Sequence, residues 1–184
     1  MKDEILVAYA TRHESTREIA SAIADVLRQA RLPIQFEPVS AVGDLRGFRA
    51  AVLGCTVYSG GWFPGAEEFL EAHVRELSGM PVWLFASGLM EAPPTGSQAE
   101  LPEALVHAVE RIAPRDVALF AGSLQPLHVG TGLRVLSRLT RVRFSDHRDW
   151  VAIERWAASI RDELLGPQAG GGHDGPTSVE TGQR

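Results

Sequence analysis

Ile5-Leu-Val-Ala-Tyr-Ala-Thr-Arg-His-Glu-Ser-Thr-Arg-Glu-Ile-Ala-Ser-Ala-Ile-Ala-Asp-Val-Leu27 decides the fold. Its first six residues are an unbroken apolar run of strand formers, as a strand buried on both faces requires. The run stops at Thr11-Arg-His-Glu-Ser-Thr16. From there Ile19, Ala20, Ile23, Val26 and Leu27 recur with a helical period, and Ser15 or Thr16 is the expected N-cap. The alternation repeats downstream. Leu32 to Val39 reads as a second strand, which Pro33 and Pro38 place at a sheet edge. Ala50-Ala-Val-Leu-Gly-Cys55 is a third strand, Pro81 to Ala86 a fourth and Val117 to Ala121 a fifth. Helices are expected from Gly65 to Leu77, around Leu101 to Ile112, and from about Asp149 to Leu165. The last carries Trp150, Ile153, Trp156, Ala157, Ile160 and Leu164 on one face. Strands alternating with helices imply right-handed crossovers and an α/β fold, a doubly wound five-stranded parallel sheet with helices on both faces.

The chain has 184 residues, enough for one domain over 1–165 with an insertion at about 122–147. Residues 166–184 are mostly Gly, Pro, Ser, Thr and Gln and are expected to form a disordered tail. A formal net charge of −5 argues against a dedicated nucleic-acid binder. Lys2 is the only lysine; the other seventeen basic residues are arginines. That excludes a P-loop lysine, a Schiff-base lysine and the switch lysine of response regulators. A response regulator is excluded again at the end of the third strand, where Cys55-Thr56 replaces an acidic phosphoacceptor. The single cysteine, Cys55, excludes intrachain disulfides and thiolate-only metal clusters, and its place in an apolar strand predicts a small buried residue. The six histidines show no metal-ligand spacing, and a G-x-S-x-G elbow is missing, which removes the Ser–His–Asp hydrolases. Met1 to Ala10 carries Asp3 and Glu4 and has too short an apolar run for a signal peptide. With no stretch near the ~18 apolar residues of a membrane span, the expected location is the cytoplasm.

In a doubly wound sheet, ligands bind beyond the carboxyl ends of the strands, where strand order reverses. Three loops fall there. Thr11-Arg12-His13-Glu14-Ser15-Thr16 leads into a helix and offers hydroxyls, amides and the positive end of a helix dipole. It is either an N-cap cluster or a phosphate site, and it has neither the glycines of a dinucleotide turn nor a P-loop lysine. Thr56-Val57-Tyr58-Ser59-Gly60-Gly61-Trp62 combines glycines that let backbone approach a flat ligand with two aromatic faces. Ser87-Gly88-Leu89 begins a third loop with adaptable apolar residues behind it. A phosphate grip beside a glycine–aromatic wall suits a phosphorylated planar ring.

These residues resemble the flavodoxin-like FMN proteins, and more narrowly the menaquinone-dependent protoporphyrinogen oxidase branch. The resemblance covers roughly residues 4–165. It rests on Thr11-Arg12 with Ser15-Thr16-Arg17-Glu18-Ile19-Ala20, on Leu53-Gly54-Cys55-Thr56-Val57-Tyr58, and on Asp149-Trp150 followed by Ile153 and Trp156. It implies sheet order 2-1-3-4-5 with FMN at the carboxyl edge. Thr11, Ser15, Thr16 and the loop amides would hold the phosphate, and Thr56 to Gly61 with Ser87 to Leu89 would wall the isoalloxazine. Glu14 stands where such loops usually have glycine. Its carboxylate would repel a phosphate unless it turned to Arg12 or Arg17. The fourth-strand loop has no aromatic residue, so a flavin there would be open on one face, which favours oxidoreductase chemistry over one-electron carriage; the resemblance implies a quinone as acceptor. The alternatives are a small electron-transfer flavodoxin, or a flavodoxin-fold binding module that has lost FMN. Within the insertion, Arg134, Arg138, Arg141 and Arg143 stand without an acidic residue among them. They form a basic amphipathic segment able to dock an acidic substrate or the inner face of the membrane, or else to pack on its own domain.

Overall fold

A computed structural model of the chain describes residues 3–11, 14–58, 61–62, 64–88, 109–121 and 148–166. The apolar runs become a parallel sheet. β1 (Glu4–Ala10) lies between β2 (Ile34–Pro38) and β3 (Phe48–Tyr58), with Val7 opposite Phe36 on one side and Val52 on the other. β5 (Val82–Gly88) pairs with β3, placing Leu84 against Leu53, and β6 (Asp116–Ala121) closes the order β2-β1-β3-β5-β6. Among the five long strands this is 2-1-3-4-5, the order expected. A two-residue strand, β4 (Gly61–Trp62), folds back antiparallel on the end of β3.

Because side chains alternate along a strand, the sheet feeds two cores. Ile5, Val7, Trp83 and Phe85 point to the face covered by α1 (Glu14–Gln29) and α4 (Trp150–Leu165), which contribute Ile19, Ile23, Ile153 and Ile160. Leu6, Ala8, Leu53 and Leu84 point to the face covered by α2 (Pro64–Ala72), α3 (Val74–Leu77) and the helical residues 109–112. Trp83 is core, as expected, at 2% exposure. Asp149 caps α4 by accepting a hydrogen bond from the Ala152 amide at 3.0 Å, which stabilises an otherwise orphaned helix end.

Several features differ from the sequence reading, among them the second strand, which is shorter at Ile34–Pro38, and the strand expected over 81–86, which runs on through Ser87 to Gly88. α1 begins at Glu14, so Ser15 and Thr16 sit inside its first turn and neither is the N-cap; an acidic side chain suits that turn as well as a hydroxyl does. The third strand runs on from Cys55 to Tyr58. The expected helix over 65–77 is two, broken at His73 (φ −114°, ψ 15°), whose ring packs on Phe69 at 4.7 Å. Trp150 does not share the buried face of α4. It stays 38% exposed and lies over the Arg148 guanidinium at 4.5 Å. The insertion, with Arg134, Arg138, Arg141 and Arg143, the tail and most of the helix around 101–112 lie outside the described residues.

Candidate functional site

The carboxyl ends of β1, β3 and β5 lie side by side at the point where strand order reverses, the place a doubly wound sheet reserves for ligands. Each end delivers a hydroxyl: Thr11 directly after β1, Thr56 in β3 and Ser87 in β5. The first turn of α1 adds a fourth, Thr16. Thr16 Oγ1 lies 2.7 Å from Thr56 Oγ1 and 2.6 Å from Ser87 Oγ, and Thr56 donates to Thr11 Oγ1 at 2.9 Å. Thr16, Thr56 and Ser87 are 0%, 8% and 1% exposed. Thr11 is half-buried at the outer end. Beneath them Ala10, Cys55, Ala66 and Ala86 form a layer of small side chains that lets β1, β3, β5 and α2 converge. Burial pushes the Cys55 thiol pKa far up, so it stays protonated and acts as packing, as expected.

The other expected ligand-binding residues fall around this cluster. Ser15 is buried in the same helical turn. The backbones of Val57 and Tyr58 end β3 and pair antiparallel with Trp62 and Gly61 of β4. Gly88 ends β5 opposite Val57 and Ala121. Arg12, His13, Ser59, Gly60 and Leu89 lie outside the described residues. Glu14 turns to Arg17, which donates to its carboxylate at 2.9 Å. That bond, and a weaker one involving Tyr9, holds the Arg17 guanidinium above its ordinary pKa. Of the two arginines to which Glu14 was expected to turn, it is Arg17 that it meets.

Three contributors escaped the sequence reading of the site. Gly54 faces Phe85 across β3 and β5, and a Cβ there would lie 2.0 Å from Phe85 Cζ. A lone glycine in an apolar strand is the signal for such an approach. Phe85 in turn meets Phe120 and Trp156 at 6.0 and 6.1 Å, and Trp156 donates its indole N–H to Asp116 at 2.7 Å. Arg148, 5% exposed, pairs with Glu18 and ties the start of α4 to α1. The link between Thr16 and Ser87 had no local sign, since those residues are 71 positions apart.

Neutral hydroxyls at the start of a helix make a donor set that fits a phosphate without a lysine. Among the described residues no group of His, Cys, Asp or Glu could hold a metal ion, and no helix is long and apolar enough to cross a membrane.

A 2-1-3-4-5 parallel sheet with its polar cluster at the switch point defines the flavodoxin-like class of α/β proteins. Over residues 6–138 the sequence matches the family described as Flavodoxin domain, and the chain belongs to that family. No curated protein matches it. Among solved structures, an archaeal flavodoxin superposes with a TM-score of 0.57 at 12% identity, over 89% of this chain and 99% of its own. A mutant flavodoxin from Pseudomonas aeruginosa gives 0.56 at 13%, over 89% and 99%. The rubredoxin oxygen:oxidoreductase of Desulfovibrio gigas gives 0.58 at 14%, over 89% of this chain and 36% of that larger one. At these identities the likeness is one of fold.

Proposed function

We propose that the protein binds FMN along the carboxyl edge of the sheet and works as an oxidoreductase. The phosphate lies at Thr11 to Thr16, and the ring lies between the Thr56–Trp62 stretch and Ser87 to Leu89. The observation that carries this reading is the hydroxyl cluster, which gathers the ends of β1, β3 and β5 and the start of α1 at one point. Bound flavin supplies the redox chemistry; the chain's residues bind it, orient it and decide which face meets a substrate. The narrower part of the proposal follows the protoporphyrinogen-oxidase-like resemblance. Electrons pass from an organic donor to a quinone, with Arg134, Arg138, Arg141 and Arg143 docking the protein at the inner face of the membrane from the cytoplasm.

The second reading is a small electron-transfer flavodoxin. It is favoured by the solved flavodoxins that this chain covers over 99% of their length. Absorbance of the purified protein with added FMN tests both readings, and a chain that takes up no FMN overturns them together, leaving the binding module. If FMN is bound and reduced, reoxidation by a menaquinone analogue at catalytic rates selects the oxidoreductase. Reoxidation by a protein acceptor alone selects the carrier.

A further inference from the structure

β2 is an edge of the sheet, and among the described residues β1 is its one neighbouring strand. Ile5 donates its N–H to the Pro33 carbonyl at 2.8 Å. Backbone groups along a strand turn alternately to the two sides. Residues 33, 35 and 37 therefore face β1, and Ile34, Phe36 and Pro38 point outward. The outward row offers the N–H groups of Ile34 and Phe36 and the carbonyls of all three, since Pro38 has no N–H. The side chains of Ile34 and Phe36 lie on the α1 face and stay half-buried. The Phe36 ring meets Tyr9 at 5.2 Å and lies under the Arg28 guanidinium at 5.8 Å. On the opposite face Gln35 donates to the Glu37 carboxylate at 2.6 Å. Outward backbone groups beside half-buried apolar side chains make this edge a template for another strand.

We propose that this edge pairs with the same edge of a second copy of the chain, antiparallel about a two-fold axis through Phe36. In that register Phe36 exchanges both backbone hydrogen bonds with the partner's Phe36, and the Ile34 N–H donates to the partner's Pro38 carbonyl. The missing N–H of Pro38 then costs only the bond to the Ile34 carbonyl. A two-fold axis through Gln35 would satisfy as many backbone groups, so the side chains decide. That register sets Gln35 against its own copy and Glu37 against a proline. The Phe36 register sets Gln35, which has a second amide hydrogen to give, opposite the partner's Glu37 carboxylate. It also brings two half-buried rings together. Arg28 carries its own counter-ion, Asp25 at 3.1 Å, so the approach of two copies does not set bare cations side by side. Pro33 and Pro38 bound the edge and keep the pairing to one short ladder. Antiparallel pairing points the two carboxyl edges in opposite directions and leaves both candidate ligand sites open. The inference therefore does not depend on which ligand those sites take.

Sedimentation velocity of the full chain over a concentration series tests the pairing. A ladder of five residues is small for an interface, so half-assembly is expected on the order of tens of micromolar. Gln35→Glu, which opposes a carboxylate to the partner's Glu37, should weaken assembly about tenfold. Gln35→Lys, which opposes an ammonium to it, should leave assembly as strong or stronger. Cross-linking tests the register. Cys55 is buried, so an added cysteine is the accessible thiol. Residues exchanging both hydrogen bonds across an antiparallel pair have Cα atoms about 5.5 Å apart, within disulfide reach. With oxidised glutathione, Phe36→Cys should therefore give a covalent dimer and Gln35→Cys should not. A wild type that is monomeric throughout the series overturns the inference, and so does a dimer that Gln35→Glu leaves unchanged. A covalent dimer from Gln35→Cys, or none from a folded Phe36→Cys, overturns it as well. If Phe36→Cys fails to fold, the Gln35 variants decide.

Discussion

The two ends of the sheet are polar in different ways. At the carboxyl end, the enclosed hydroxyls of Thr16, Thr56 and Ser87 bond to one another and on to the half-buried Thr11. At the amino end the polarity is ionic and only partly enclosed, with Arg49 Nε and one Glu4 oxygen buried and their neighbours open to solvent. Arg49 faces Asp3 at 3.4 Å with the carboxylate 86% exposed, and Arg115 faces Glu163 at 3.6 Å with both side chains exposed. The cost of burial explains the division. A hydroxyl can be enclosed at modest cost once it has a partner, whereas an enclosed charge needs a close counter-ion and further hydrogen bonds. The end that must form a fixed site uses groups that tolerate enclosure. The end that only needs solubility uses charges.

Substitutions at each end put that contrast at risk. The largest effect is expected at Gly54→Ala, where the new methyl runs into a fully buried Phe85 ring. A loss of about 3 kcal/mol in urea unfolding is expected, and a loss below about 1 kcal/mol would mean that the carboxyl half of the sheet is loosely packed. Arg148→Ala comes next. It leaves Glu18 without its guanidinium and uncovers Trp150, for about 2 kcal/mol, a value already reduced because Glu18 is 41% exposed. Thr56→Val should cost about 1 kcal/mol, since Thr16 and Thr11 each lose a partner while the volume is kept. An unchanged thermal midpoint would show that the hydroxyl chain adds nothing to stability. Asp3→Asn, at the other end, should change stability by less than about 0.5 kcal/mol and by less still at high salt. If it matched Thr56→Val, the two ends would not differ energetically as their burial implies.

The strands were legible because a parallel sheet buried on both faces must be written as continuous apolar runs, as in Ile5 to Ala10 and Ala50 to Cys55. Their ends were less so. Thr56-Val57-Tyr58 reads as loop because Gly60 and Gly61 follow, yet all three residues are good strand formers and β3 keeps them. The positions around the site could be read from topology alone, since Thr11, Thr56 and Ser87 each sit at a strand end. What those residues do to one another could not. A hydrogen bond between residues 40 or 71 apart leaves no periodicity, and Thr16 looked like a cap because its partners come from other strands. Trp150 shows the same limit on the helix side. Its spacing fits the apolar stripe of α4, but a cation two residues upstream in the chain offered its ring a better neighbour.

The hydroxyl chain also sets an order of events. Its three bonds join residues 40, 45 and 71 apart, and none can close until β1, β3 and β5 are aligned through their helical crossovers. Long loops are slow to close, so helices form early and parallel ladders late. On refolding from denaturant, far-ultraviolet circular dichroism should therefore recover before the FMN binding proposed above, followed by flavin fluorescence. Competence at this site is a marker that the central strands have found their final register.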